Sequence, residues 1–327
     1  MHRIDVLIPV YNTAPYLEQC FRSLQQQSFT DWRAIVVEDC STDGKSARLC
    51  DEWGSKDPRI EVHHLPENKG ISYVRQVLVG KSSAPLIAWL DSDDFLASDH
   101  LSSLVKILDE DPSVDLAMSA YLKTDADGKV ISLKKSFYPP GKTFTHPYLL
   151  LLNLYDHKMK AHLWKGLYKR ELYHNITFPS FRYFEDYAVM PELLANAKKM
   201  RHTGRATYFY RQLTNSIVHT TTPEHEMSFF RATLLRCETL AKTTVFTEKQ
   251  KKLLHCYLEQ LFLIRYYKIR QLPDSPLKEA YLLEMEDELR KRNFTYKRDS
   301  FLSYKLKKHL YSFKKRWANF LIFSGYR

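Results

Sequence analysis

Three carboxylates within four residues, Asp91, Asp93 and Asp94, follow directly on the apolar run Ile87-Ala88-Trp89-Leu90. Such a run reads as a strand buried on both faces of a parallel sheet, which puts the acids at its C-terminal end. In open α/β sheets that edge is where ligands bind. Like charges this close are stabilised by a cation. An all-oxygen ligand set selects a hard divalent ion, Mg2+ or Mn2+, that shares its coordination sphere with substrate phosphates. The same acids would also cap a following helix, since Asp is a good N-cap, and the residues alone leave both readings open. A second acidic pair, Glu185 and Asp186, lies among Tyr183, Phe184 and Tyr187. Aromatic neighbours partly desolvate a carboxylate, raise its pKa and suit it to accept a proton near neutral pH. The competing reading is a helix start, with the acids complementing the dipole ahead of Val189, Leu193 and Leu194; the residues alone lean that way.

Four strands must carry the first group. Residues 4–10 form a β-rich run, followed by a helix capped by Asn12 or Thr13, with Pro15 just inside and Leu17, Phe21 and Leu24 on one face. Residues 32–37 form a second strand that ends in Glu38-Asp39-Cys40-Ser41-Thr42-Asp43-Gly44, and residues 59–65 a third. A turn at 67–70 leads into a helix through Ser72, Arg75 and Val79, and the strand before Asp91 is the fourth. This β-α alternation implies right-handed crossovers and a parallel sheet, so the loops after each strand gather at one crevice. There is no GxGxxG after the first strand and no GxxxxGK[ST], which argues against a dinucleotide site. A nucleotide with base and ribose on Asp39 and Asn68, and its phosphates on a metal at Asp91 and Asp93, accounts for the polar residues together.

Ile8-Pro9-Val10-Tyr11-Asn12, Val36-Val37-Glu38-Asp39-Cys40-Ser41-Thr42-Asp43-Gly44, Glu67-Asn68-Lys69-Gly70-Ile71-Ser72 and Leu90-Asp91-Ser92-Asp93-Asp94 occur in that order. Together they resemble the nucleotide-sugar half of family 2 glycosyltransferases with the GT-A fold, and the resemblance covers roughly residues 1–220. It implies a Rossmann-like, mostly parallel sheet flanked by helices. The catalytic domain would span 1–222, with a donor half at 1–95 and an acceptor half at 96–222, and a helical appendage would follow at 223–327. It further implies that Pro9, Tyr11, Asp39, Asn68 and Arg75 line the nucleoside pocket. Asp91 and Asp93, with Ser92 between them against the donor, would form the DxD pair, Asp93 being the direct metal ligand. Residues 164–172 and 176–178 are similar to the segment before the Glu-Asp motif of bacterial members, which implies Asp186 as an inverting general base and Glu185 as its companion. Tyr208-Phe209-Tyr210-Arg211 and Asn215-Ser216-Ile217-Val218-His219 also resemble the family pattern. Guanidinium and imidazole donors suit Arg211 and His219 to hold a leaving diphosphate, and His219 could instead touch the metal. The sequence departs from the family at Glu38, where Asp is common, and at Tyr73-Val74-Arg75-Gln76, which replaces the usual Ala-Arg-Asn.

Composition frames these expectations. The 327 residues are 44% hydrophobic with 9 Gly and 14 Pro, a globular rather than disordered chain. The net charge of +11 favours anionic partners. Five cysteines without metal-ligand spacing suggest free thiols in a reducing cytosol. No signal-peptide pattern and no apolar run of membrane-spanning length occurs, so a cytoplasmic location is expected. Asp125-Ala126-Asp127-Gly128 reads as a hairpin turn rather than a calcium loop. From Glu224 on the pattern is helical. The tail 297–327 carries nine Lys or Arg against one Asp beside an apolar face of Leu302, Leu306, Leu310, Phe313, Trp317 and Leu321. That pattern fits a helix lying on the anionic inner face of the cell membrane, and equally a helix packed on the body with a solvated basic face. The sequence therefore predicts metal-dependent, inverting transfer of a sugar from a nucleotide diphosphate donor, UDP-linked, to a hydroxyl of a glycan or lipid-linked glycan of capsule, lipopolysaccharide or wall polymer. Charge alone would also suit a nucleic-acid-binding protein, which has no use for the carboxylates. A nucleotidyltransferase would share the paired acids but adds a Gly-rich loop near its start. No nucleic-acid partner is expected, and the sugar, the acceptor and the oligomeric state are not legible.

Overall fold

A computed structural model describes residues 2–132, 138–146, 161–213, 222–242 and 247–292. The unbroken apolar runs become the centre of the sheet. β1 (Ile4–Val10) is buried along its whole length and lies parallel to β2 (Trp32–Glu38) on one side and β4 (Leu86–Trp89) on the other. β3 (Ile60–His64) continues the parallel set beyond β2. Strands covered on both faces need no polar alternation, which is why these segments read as continuous hydrophobic stretches. The crossovers are α1 (Ala14–Gln25), α2 (Ser46–Lys56) and α3 (Ile71–Lys81). The loops that follow the parallel strands accordingly share one edge, as the β-α alternation predicted.

Past β4 the sheet turns mixed. Its further strands are β5 (Phe95–Leu96), β6 (Leu116–Thr124), β7 (Val130–Ser132), β8 (Thr143–Thr145), β9 (Gly166–Lys169) and β10 (Lys199–Arg211), with α4 (His100–Glu110) between β5 and β6. The order is β3-β2-β1-β4-β9-β6-β10-β5, with β7 on β6 and β8 on β10. β9 runs antiparallel to both β4 and β6, while β10 is parallel to β6 and antiparallel to β5. This brings the start of β9 and the ends of β6 and β10 to the same edge as the end of β4. The turn joining β6 to β7 is closed by Gly128 N donating to Asp125 O at 3.1 Å, with Gly128 at φ +86°. Asp125 Oδ1 accepts from Asp127 N and Lys129 N, so the carboxylate serves the turn, as its sequence suggested.

The other edge fixes how β4 enters the sheet. Asp5 in β1 is fully buried and accepts from Arg33 Nε and Nη2, Ser82 Oγ, Ser83 N and Ala84 N, all at 2.8–3.1 Å. Burial raises the carboxyl pKa, but Arg33 and the backbone donors outweigh it and hold Asp5 below the ordinary carboxylate range. Its stabilising contribution is therefore present above that range and is lost as pH falls through the lowered value. Residues 82–84 lead into β4, so Asp5 anchors the strand that carries the acids.

Two compact units are distinguished, Met1–Leu149 with Ala161–Ser180 and Glu192–Ser216, and Leu150–Lys160 with Phe181–Pro191 and Ile217–Arg327. The first holds all the strands among the described residues. To the second belong α6 (Pro223–Lys242), α7 (Glu248–Arg270) and α8 (Pro276–Lys291); α5 (Glu185–Asn196) begins in it. Within the second unit the buried Glu226 accepts from Arg265 Nη1 at 2.7 Å and Lys268 Nζ at 3.2 Å, which ties α6 to α7. Leu282, Met285 and Leu289 are buried, but the adjacent Leu283 is 62% exposed. Adjacent helical residues point about 100° apart, so only one of the Leu pair could face inward. No helix among the described residues is long and apolar enough to cross a membrane.

Candidate active site

The loops after β1, β2 and β4 are sewn to one another. Asn12 N donates to Ser41 Oγ at 3.0 Å, and Asn12 Oδ1 accepts from Thr42 N at 2.8 Å and Asp43 N at 3.1 Å. Asn12 and Cys40 both adopt φ +53°, a left-handed conformation that costs a non-glycine residue about 1 kcal/mol and that these bonds must offset. Thr13 stands at the N-cap of α1, yet its hydroxyl donates to Ser92 Oγ at 2.9 Å rather than to its own helix. The acid-bearing turn is thereby tied to the start of α1. Asp43 takes over part of the capping, accepting from Ala14 N at 3.4 Å.

Asp39 and Asn68, read as holders of base and ribose, are bonded to each other. Asp39 Oδ2 accepts from Asn68 Nδ2 and Gly70 N, both at 2.8 Å, and Oδ1 accepts from Lys69 N at 2.7 Å. The carboxylate thus shapes the turn into α3, where Gly70 sits at φ +82°. Burial, with Glu38 adjoining, keeps Asp39 above the ordinary carboxylate range in spite of those donors. A carboxylate has about four acceptor positions, so Asp39 Oδ1 retains one for a ligand. Glu38, the departure from the family, is buried and accepts from Ser41 N at 2.6 Å, with its other oxygen 3.1 Å from His64 Nδ1. The longer side chain is accommodated by supporting the loop it precedes. Pro9 lies buried in β1, and Tyr11 is 43% exposed just beyond it. Arg75 is buried over the Trp89 ring at 4.9 Å, and its Nη2 donates to Asp91 Oδ1 at 3.1 Å. Its charge therefore bears on the acids.

The acids form a tight turn, Asp94 N donating to Asp91 O at 2.9 Å. Burial and the neighbouring Asp91 push Asp93 up to about 6. Asp94 too is held well above the ordinary carboxylate range, first by burial and then by Asp93 and Asp91. Asp94 is no ligand candidate, because Tyr208 Oη donates to its Oδ2 at 2.8 Å and Arg211 N to its Oδ1 at 2.7 Å. Among the described residues no set of three or more His, Cys, Asp or Glu side chains converges as an ion site. The arrangement fits a hard divalent ion held by Asp91 and Asp93 and completed by phosphate oxygens, the usual manner for Mg2+ and for Mn2+. Positive charge there would offset both penalties that lift Asp93. Arg211 is 3% exposed and does not reach outward. Its Nε donates to Asp93 O at 2.7 Å, Nη2 to Gln19 Oε1 at 2.6 Å and Nη1 to Ala126 O. A diphosphate grip would have to draw it from these partners.

In the second unit, Glu185 and Asp186 do open a helix, α5, as the competing reading held. The aromatic surround is present too. Phe184 packs against His225 and Phe229 at 4.8 and 4.9 Å, and Tyr187 stacks on Phe229 at 4.9 Å. Glu185 is buried, and Asp186 Oδ1 accepts from Tyr187 N at 2.6 Å. Phe184, immediately before the pair, holds φ +67°. Backbone strain of this kind gathers where a site must be held in one geometry. His219 and the tail 297–327 lie outside the described residues. Sequence reasoning marked Asn12 and Thr13 as helix caps, Tyr208 within a motif and Asp94 in the acidic cluster, but missed all four as the residues that hold the loops in place.

A parallel β-α half ending in paired acids, extended by a mixed half at the same edge, defines a sugar-nucleotide type of transferase fold. Residues 5–181 match the family model "Glycosyl transferase family 2". The protein belongs to that family and is a glycosyltransferase. It is 27% identical over 240 residues to "Glycosyltransferase GlyG" of Streptococcus pneumoniae serotype 4, covering 70% of this chain and 76% of that one. It is 29% identical over 217 residues to "Putative teichuronic acid biosynthesis glycosyltransferase TuaG" of Bacillus subtilis, covering 65% and 81%. In fold it is similar to S. aureus TarS in complex with UDP-GlcNAc, with TM-score 0.69, 18% identity and coverage of 89% of this chain and 81% of that one.

Proposed function

We propose that the protein transfers a sugar, with inversion, from a UDP-sugar to a hydroxyl of a surface-polysaccharide or wall-polymer acceptor. The observation that carries the reading is the turn of residues 91–94, with the half-buried carboxylates Asp91 and Asp93 at the sheet edge where the loops converge. Tyr11, Asp39 and Asn68 border the nucleoside. Asp91 and Asp93 hold the Mn2+ or Mg2+, which when bound supplies positive charge to the departing diphosphate. Asp186 accepts the proton of the acceptor hydroxyl as its oxygen attacks the anomeric carbon, and the bond to the diphosphate breaks with its electron pair leaving on the phosphate oxygen. Glu185 supports Asp186. The wall-polymer reading draws on the relation to TuaG, the UDP reading on the fold shared with TarS. Docking of the tail 297–327 on an anionic membrane, which would bring the enzyme to lipid-linked acceptors, belongs to the same proposal.

Thermal stabilisation by a panel of nucleotide sugars, with and without Mn2+, tests this. UDP-sugars should raise the melting temperature, and Mn2+ should enlarge the shift, because a ligand that binds only the folded state stabilises it. A shift confined to GDP- or dTDP-sugars would overturn the UDP assignment, and indifference to Mn2+ would overturn the metal.

A further inference from the structure

We infer that Tyr208 and Arg211, at the end of β10, are positioning residues that set the geometry of the metal-bearing turn, rather than residues that touch the donor. The inference rests on the reading of Asp91 and Asp93 as metal ligands. β10 pairs antiparallel with β5, Tyr208 opposite Leu96 and Phe209 opposite Phe95, so its end lies beside the turn just before β5. Phe95 and Phe209 stack at 4.5 Å and fix that register.

From this position β10 engages three of the turn's four residues. The fully buried Tyr208 hydroxyl accepts from Asp91 N at 3.2 Å and donates to Asp94 Oδ2 at 2.8 Å. Arg211 N donates to Asp94 Oδ1 at 2.7 Å, and Arg211 Nε to Asp93 O at 2.7 Å. The fourth residue, Ser92, is held from α1 by Thr13. Asp94, the acid whose oxygens are both engaged, is the post to which the turn is fastened. The guanidinium is in turn anchored to Gln19 in α1 and to the Ala126 carbonyl of the β6–β7 turn, and lies over the Tyr16 and Phe95 rings at 4.8 and 5.4 Å. An arginine fork can bridge a main-chain carbonyl, a side-chain amide and a second turn at fixed angles; a lysine ammonium cannot. Two carboxylates sharing a small ion with phosphate oxygens must be held to within about 0.5 Å, and residues that orient the ligands typically change metal affinity by about 10- to 100-fold when lost.

The test is a calorimetric Mn2+ titration of the full chain, with and without UDP, for wild type, Asp93→Asn, Tyr208→Phe and Arg211→Lys. Tyr208→Phe removes one oxygen and keeps the ring stacked on Trp164 at 4.2 Å. It should weaken Mn2+ binding about 10- to 100-fold, while far-UV circular dichroism stays that of wild type. Arg211→Lys keeps the charge, so a diphosphate grip would leave Mn2+ affinity in the absence of UDP unchanged, whereas the positioning role predicts its loss; this variant also decides the matter if Tyr208→Phe does not fold. Mn2+ affinity within twofold of wild type in a folded Tyr208→Phe or Arg211→Lys protein, with binding lost in Asp93→Asn, would overturn the positioning role alone. Unaltered Mn2+ binding by Asp93→Asn would overturn the metal reading and this inference together.

Discussion

Asp93→Asn is expected to abolish sugar transfer while leaving the protein folded. The amide keeps the shape of the carboxylate and loses its charge. Asp93 lies half-buried beside Asp91 and its pKa is pushed up to about 6, so at neutral pH its ionised form is a burden on the metal-free protein. A carboxylate whose pKa is raised by folding contributes stability fully present below its ordinary value and lost as pH rises through about 6, so at pH 7 the neutral Asn should not lower the melting temperature. Function moves the other way. The metal contributes several kcal/mol of charge stabilisation in the transition state, and each 1.36 kcal/mol is tenfold in rate, so a loss of about 10³-fold or more is expected. Turnover assays with Mn2+ and with EDTA check this, and undiminished transfer in either the variant or the chelated wild type would rule it out.

The second large effect concerns the other acidic pair. Asp186→Asn should slow transfer by ~10²–10⁴-fold, the usual contribution of a positioned general base, with donor affinity unchanged. Glu185→Gln should do less, since Glu185 is assigned only a supporting role. The comparison is informative because both residues also begin α5, where removing one acid costs a few tenths of a kcal/mol through the helix dipole. A purely structural role would appear as a small loss of stability with kcat intact. Near-normal transfer by Asp186→Asn together with a dead Glu185→Gln would move the base to Glu185.

The first half of the fold was legible because β1, β2 and β4 are apolar runs and helices with their own period separate the strands. Asp39 and Asp93 stood out because each follows the end of an apolar strand, where the loops of a parallel sheet gather. The second half was not, for a physical reason. β5, β7, β8 and β9 have two to four residues each, too few to show alternation, and all but β7 are held by partners distant in the chain. Arg211 illustrates the limit at a single residue. Its side-chain type announced a cation, but two of its acceptors are the main-chain carbonyls of Asp93 and Ala126, and any sequence supplies carbonyls. Asp39 is similar: its bonds to Lys69 N and Gly70 N come from the backbone of a turn whose approach depends on the whole sheet. The Glu185-Asp186 pair was read in two ways, and the helix start and the aromatic surround both exist, so the local pattern had no means of separating them.

The most direct measurement is proton NMR of UDP-sugar turnover, following the anomeric signal of the transferred sugar as UDP is released. With an α-linked donor and Mn2+, the expected product is the β-anomer, formed in step with UDP, halted by EDTA and restored by excess Mn2+. An α-anomeric product, or UDP release that continues unchanged in EDTA, would contradict metal-assisted inverting transfer.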